Sequence, residues 1–381
     1  MNISKMRRQL DQINCDIFES YLKGAGWVDD GDIEGLASIW HRPEKENYIF
    51  EVVLPRVKSV KGYLQRLYEA LKSLAAFEER DIAAVIESVQ NFYSDMVKVR
   101  VVHLDVEGGS IPLDDGVLLV EKARDLLAAT TMSAFKKQKY FSGNRSQEVQ
   151  AYLDKLRLGQ TEVGSFIVNV LAPISNEVVV QEDSERISLG RAVTMNLARS
   201  LSAVQRSMES FKESEDFIHF EEAVSKGVSA NLCDALIGLS GTEHTRDLTI
   251  SIQPGGGEAE WQNIPLVHSF DAVMIPYLKS ASNFYKGNYI IKNYQAYGVV
   301  TGMKHLQSED FGVISVKSLV NGVERIISIQ LDMSEYWEAL VAHAQGRMVS
   351  CMGDLNVNPR SAQLLEPTKF SVSGAGGLFD D

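Results

Sequence analysis

Cysteine is scarce in this chain of 381 residues, and Cys15, Cys233 and Cys351 are odd in number and far apart. That excludes a disulfide framework and a zinc knuckle, both of which need thiols paired at short spacing. Long apolar runs are missing too: none approaches the roughly 18 residues that a membrane-spanning helix requires. The mildly basic stretch 1–8 leads into no apolar segment of the kind a secretory leader carries. The expectation is therefore a soluble protein of a reducing cytoplasm. Positive charge is also in deficit, with 38 Lys and Arg against 51 Asp and Glu and a net charge of −13. A general nucleic-acid or anionic-membrane coat needs the opposite balance, so only a local basic patch remains open. There is no glycine-rich loop ending in Lys-Ser or Lys-Thr, no His-Glu-x-x-His, no Cys-x-x-Cys and no Gly-x-Ser-x-Gly, so neither a cofactor nor a metal site is expected.

What is present describes an ordinary globular chain, 45% hydrophobic and 23% charged, long enough for two or three domains. The clearest architecture lies at the end. Strands rich in β-branched residues are predicted over 294–305, 311–319 and 323–331, the last two joined by the hairpin turn Asn321-Gly322. Asp332 or Ser334 then caps a helix over 335–345, and strands over 348–355 and 363–372 follow. Three strands, a helix and two strands is the order of a small OB-like β-barrel, a fold that often binds single-stranded nucleic acid. The charge is unsuited to that role, because 288–381 holds seven basic and ten acidic residues, and Phe311 is the lone aromatic of the second and third strands.

The predicted fold class is α+β, with an α+β domain over 1–110, a mostly helical domain with short strands over 111–287, the barrel over 288–372 and a flexible acidic tail over 373–381. In the first, periodic apolar residues predict a helix over 6–23, a hairpin of strands 37–41 and 48–54, helices over 60–77 and 81–92, and a strand over 97–104 that joins the hairpin. In the second, Asp114 or Asp115 is expected to cap a helix to about 135. Further helices are predicted over 147–158, 188–211, 215–226, 231–239 and 265–286, with strands over 165–174 and 247–252. Gly255-Gly256-Gly257 reads as a flexible loop tip.

One stretch reverses the overall charge. Residues 133–160 contain six basic and two acidic side chains, and Lys136, Lys137, Lys139, Tyr140, Arg145, Lys155 and Arg157 form the candidate nucleic-acid site, cations for phosphates and an aromatic face for stacking. A solvated connector is the plainer reading of the same residues. Glu243-His244-Thr245-Arg246-Asp247 gathers acid, base and guanidinium in five positions, a pattern more often structural than catalytic. Asp29, Asp30, Asp32 and Glu34 with Glu51 resemble the acidic placement of metal nucleases, although Val53 stands where such sites carry Lys. The end of the tail, Leu378, Phe379, Asp380 and Asp381, is similar to the protein-recruiting tips of bacterial single-strand-binding proteins and is the candidate partner-binding segment.

Four strings carry a wider resemblance: Tyr21-Leu22-Lys23 with Gly26-Trp27, Ser110-Ile111-Pro112-Leu113-Asp114-Asp115-Gly116, Arg157-Leu158-Gly159-Gln160-Thr161-Glu162 and Gly227-Val228-Ser229-Ala230-Asn231-Leu232-Cys233. Together they resemble a bacterial family with no assigned activity. The resemblance implies a bacterial source and transfers no functional residue, though it draws attention to Gln160 and Glu162 beside the basic patch.

The function expected is a non-catalytic binding or scaffold subunit of a bacterial multi-protein system, with nucleic-acid sensing in phage defence as one form of it. Its partners would be other protein subunits, with nucleic acid as a further candidate and no membrane. Two alternatives stay open: a metal-dependent nuclease or hydrolase using the amino-terminal carboxylates, and a purely structural assembly factor.

Overall fold

The computed structural model describes residues 7, 10–11, 13–43, 49–103, 106, 110–159, 166–174, 178–180, 186–256, 261–305 and 310–373. It mixes helix and sheet, as expected of an α+β chain. The chain divides into two compact units, one of Met1–Lys137, Gly143–Gln205 and Ala235–Val273, the other of Gln138–Ser142, Arg206–Asp234 and Met274–Asp381.

In the first unit the helix expected over 6–23 is interrupted: residues 7, 10 and 11 are helical, 13 and 14 are not. Helix α1 spans Cys15–Gly24, because Asn14 is extended at φ −90° and ψ 129° and its side chain accepts the Asp16 N–H at 2.9 Å. Three antiparallel strands follow, β1 (Val28–Ile33), β2 (Ala37–Pro43) and β3 (Ile49–Pro55), in the order β1-β2-β3. Strand β1 has no apolar alternation and all six of its residues are exposed, which is why periodicity alone misses it. Helix α2 (Tyr63–Phe77) covers the sheet and α3 (Ile82–Gln90) packs on α1 and α2, and Trp40, Val52, Leu54, Leu67, Leu71 and Leu74 are wholly buried in their shared core.

Strand β4 (Ser94–Val102) does not join that hairpin. It is the centre of a five-stranded antiparallel sheet in the order β10-β9-β4-β6-β5, with β5 (Arg157–Leu158), β6 (Phe166–Pro173), β9 (Asp247–Gln253) and β10 (Val267–Phe270). The pairing of β4 with β9 and β6 unites stretches on both sides of residue 110 in one unit. Residues 157–158 and 267–270 were expected to be helical. In the second case the alternation exposed, buried, exposed, buried marks a strand, and the helix starts only where Pro276 sits in a first turn. After β6 comes a short antiparallel pair, β7 (Val178–Val180) and β8 (Arg186–Ser188). Helix α4 (Leu113–Phe135) has Pro112 at its N-cap in place of Asp114 or Asp115, followed by α5 (Gln147–Leu153) and the long α6 (Leu189–Ser214). The glycine loop after β9 is held, not loose, at its first position: a Cβ on Gly255 would strike the Ser94 and Phe92 carbonyls, and Asp95 takes its N–H at 2.9 Å. Gly257 lies outside the described residues.

In the second unit, α7 (Ile218–Val224), α8 (Ala230–Leu239, up to Asp234) and α9 (Ile275–Lys286) precede β11 (Tyr289–His305), β12 (Phe311–Val320), β13 (Val323–Asp332), α10 (Met333–Ala344), β14 (Met348–Val357) and β15 (Ala362–Val372). Each of the five strands has two neighbours, so they form a ring in the order β11-β12-β13-β15-β14, with β13 and β15 parallel and the other pairs antiparallel. Asn321 and Gly322, at φ 48° and 75°, make the two-residue turn between β12 and β13. Asp332 caps α10 by accepting the Glu335 N–H at 2.9 Å. That helix buries Tyr336, Ala339 and Ala342 among Ile314, Ile327, Ile329, Val349 and Leu355. Gly312 leaves the space for the Tyr336 ring, since a Cβ there would overlap it.

Candidate functional site

The seven residues of the basic stretch are divided between the units: Lys136, Lys137, Arg145, Lys155 and Arg157 belong to the first, Lys139 and Tyr140 to the second. Most of the charges are already engaged. The Lys137 ammonium donates to Asn196 Oδ1, and the Asn196 amide itself donates to Thr130 O at 2.9 Å and Ser133 Oγ at 2.8 Å. Lys139 pairs with Glu221 and lies 5.1 Å over the Phe284 ring, while its carbonyl accepts the Ala230 N–H. Arg145 meets Asp125 at 3.3 Å, and Arg157 folds back on the carbonyls of Asp154 and Leu156 at 2.8 and 3.0 Å. Lys155 is half-buried, whereas Lys136 and the Tyr140 ring are exposed. Phosphate binding draws on unneutralised cations, so the carboxylates facing Lys139 and Arg145 reduce what the stretch offers a polynucleotide. Gln160, Glu162 and the tail residues Leu378, Phe379, Asp380 and Asp381 lie outside the described residues.

The amino-terminal carboxylates do not converge. Asp29, Asp30 and Asp32 lie on β1 and Glu51 on β3, the two edges of a sheet whose middle strand separates them. Asp30 faces His41 at 3.4 Å, and Asp32 and Glu19 share Arg56 at 3.3 and 2.7 Å. Among the described residues no three His, Cys, Asp or Glu side chains come together as a metal site. The run at 243–247 serves a buried clasp: Arg246 pairs with Asp115 at 2.7 Å, and the Thr242 N–H donates to the same carboxylate at 3.1 Å. Cys351 is equally unsuited to nucleophilic work, because burial pushes its thiol up to about 11.

The feature that sequence reasoning missed is the outer face of the strand ring. Register sets Val299 on β11 opposite Lys317 on β12, and Lys317 opposite Ile326 on β13. Leu319, two residues further along β12, is 67% exposed, and Ile326 is 60% exposed. Lys317 is held at 2.7 Å by Glu324, so a three-stranded apolar surface surrounds a neutralised ion pair. On helix α10, Trp337, Leu340 and Val341 are also exposed, at the i, i+3 and i+4 positions of one stripe. The signal was apolar residues at the outward positions of alternating strands, but only pairing register shows that they adjoin.

Set against known proteins, the chain matches no family model, no curated protein and no solved structure. No helix among the described residues is long and apolar enough to cross a membrane.

Proposed function

We propose that this chain is a non-catalytic binding or scaffold subunit of a bacterial cytoplasmic multi-protein system, and that its second unit, an OB-type barrel, makes the contact with other protein subunits. The barrel reading is supported by the order of three strands, helix and two strands, by the ring of pairings, and by a helix whose Tyr336 and Ala339 enter the ring's core. The observation that carries the partner class is the outer face itself, where Val299, Leu319 and Ile326 surround an ion pair that is neutral as a whole. Such chemistry suits an apolar protein contact and offers little to phosphate. Affinity purification from the native host with wild type and a Leu319→Asp, Ile326→Asp double variant tests it. Partners retained equally by both would remove this face from the reading.

Nucleic-acid sensing, in phage defence or elsewhere, is the second reading, favoured by the exposed Lys136 of the first unit. It calls for salt-dependent retention on DNA or RNA that weakens on charge reversal of Lys136 and Arg157. Recruitment through Leu378, Phe379, Asp380 and Asp381 is a separate proposal, tested by deleting those four residues. A metal-supplemented cleavage assay addresses the nuclease alternative, since turnover lost on Glu51→Ala would overturn the non-catalytic reading.

A further inference from the structure

Strand β3 is an edge: it pairs with β2 and with no other strand among the described residues. The Arg56 N–H donates to Leu36 O at 2.9 Å, and the register runs without a shift from Ala37↔Pro55 through Ile39↔Val53 to His41↔Glu51. In an antiparallel ladder, pairs that exchange main-chain bonds alternate with pairs that do not. Counting back from Leu36 and Arg56, the bonded partners are Ser38 with Leu54, Trp40 with Val52 and Arg42 with Phe50. The N–H and C=O groups of Glu51 and Val53 therefore point off the open edge. Pro55 checks the phase independently, because its carbonyl, on the same side, accepts the Cys15 thiol at 3.1 Å.

This edge borders a cavity of about 540 Å³, with Glu51 and Val53 on one wall and Arg66, Glu69 and Ser73 of α2 on the other. The helix residues recur at i, i+3 and i+7, so one face of α2 runs along the strand. Strand-directed main-chain groups beside a helix-walled groove are the requirements for adding an extended segment as a fourth strand.

We propose that this groove binds an extended peptide of a partner protein by strand addition to β3. The peptide's main chain pairs with Glu51 and Val53. Alternate side chains enter the groove, where Val53, Leu36 and Val60 offer apolar contact and the exposed carboxylates of Glu51 and Glu69 outnumber the Arg66 guanidinium and favour a basic residue. A second copy of this chain fits less well, because its own β3 would arrive with an α2 alongside, and two helices would compete for the space of one strand. The inference concerns the first unit and does not depend on the barrel face proposed above.

The test uses the position of Val53 in the ladder. Proline there removes an N–H that β2 does not use, so Val53→Pro should fold as wild type yet be unable to accept the added strand. A random-peptide phage library is panned against the full chain, and the most enriched sequence is made synthetically and measured by calorimetry. The expected result is an alternating apolar and basic peptide that binds Val53→Pro at least about tenfold more weakly than wild type. Val53→Thr, which keeps the N–H, should bind as wild type does, and methylating alternate peptide nitrogens should abolish binding. An empty selection, equal binding by Val53→Pro and wild type, or indifference to N-methylation would overturn the proposal. So would a wild-type dimer in light scattering that Val53→Pro dissolves, which would assign the edge to a second copy. If Val53→Pro fails to fold, Val53→Thr and the methylated peptides still decide the matter.

Discussion

Arg191 and Asp95 form an ion pair of 2.9 Å with both side chains almost entirely shielded from solvent. The pair fastens β4 to the start of α6 and to the glycine loop after β9. Asp95 also accepts the Gly255 N–H at 2.9 Å and the Thr194 hydroxyl, while the guanidinium donates to the Gly255 carbonyl and lies 5.4 Å over the Trp261 ring. Removing one member of a buried pair leaves the other charge uncompensated, at a cost of about 3–5 kcal/mol. Arg191→Met should lose stability on that scale in urea unfolding, and adding Asp95→Leu should recover part of it. A variant within about 1 kcal/mol of wild type would show that the pair does not hold the loop.

The buried clasp of Asp115 and Arg246 predicts a pH dependence. The hydrogen bond from the Arg246 guanidinium, aided by the Thr242 N–H, holds the Asp115 carboxyl below the usual carboxylate range. A carboxyl depressed in the folded state stabilises the fold above its unfolded value of ~3.9, and that contribution fades as pH falls through the lower folded value. Asp115→Asn should therefore be less stable than wild type at neutral pH, with the gap closing in acid. Denaturation midpoints of both proteins across pH provide the check, and a constant gap would contradict it.

Gly312 and Tyr336 set a packing test for the second unit. A methyl group at 312 would overlap the ring that α10 inserts among the strands. Gly312→Ala should cost about 1–3 kcal/mol by overpacking, and Tyr336→Leu in the same chain should relieve some of it. Thermal unfolding of the single and double variants separates the two contributions. Equal destabilisation by both would point to the backbone at 312 instead.

The β12–β13 turn makes a smaller prediction. Gly322 at φ 75° occupies a region that costs an L-residue about 1–2 kcal/mol, so Gly322→Ala should lower stability by that order while Asn321→Gly stays close to neutral. Capping adds a parallel case: Asp332→Ala should cost about 0.5–2 kcal/mol through the Glu335 N–H it leaves without its acceptor. Melting curves of the three variants suffice to rank them.

The sequence by itself determined the features that depend on a few neighbouring residues. The Asn321-Gly322 turn, the Asp332 cap and the element order from 311 to 372 all follow from local backbone preference and apolar period, and the structure has them within a few residues of where they were predicted. The basic composition around Lys136 was equally legible. Tertiary structure decided what lies across long separations: that β4 pairs with β9 and not with the β2–β3 hairpin, that Arg246 answers Asp115 and Lys139 answers Glu221, and that Val299, Lys317 and Ile326 share one face. The physical reason is the same in each case. A turn or a cap is stabilised by atoms a few bonds away, whereas strand partners, burial and the neutralisation of a charge depend on groups that only the folded chain brings together.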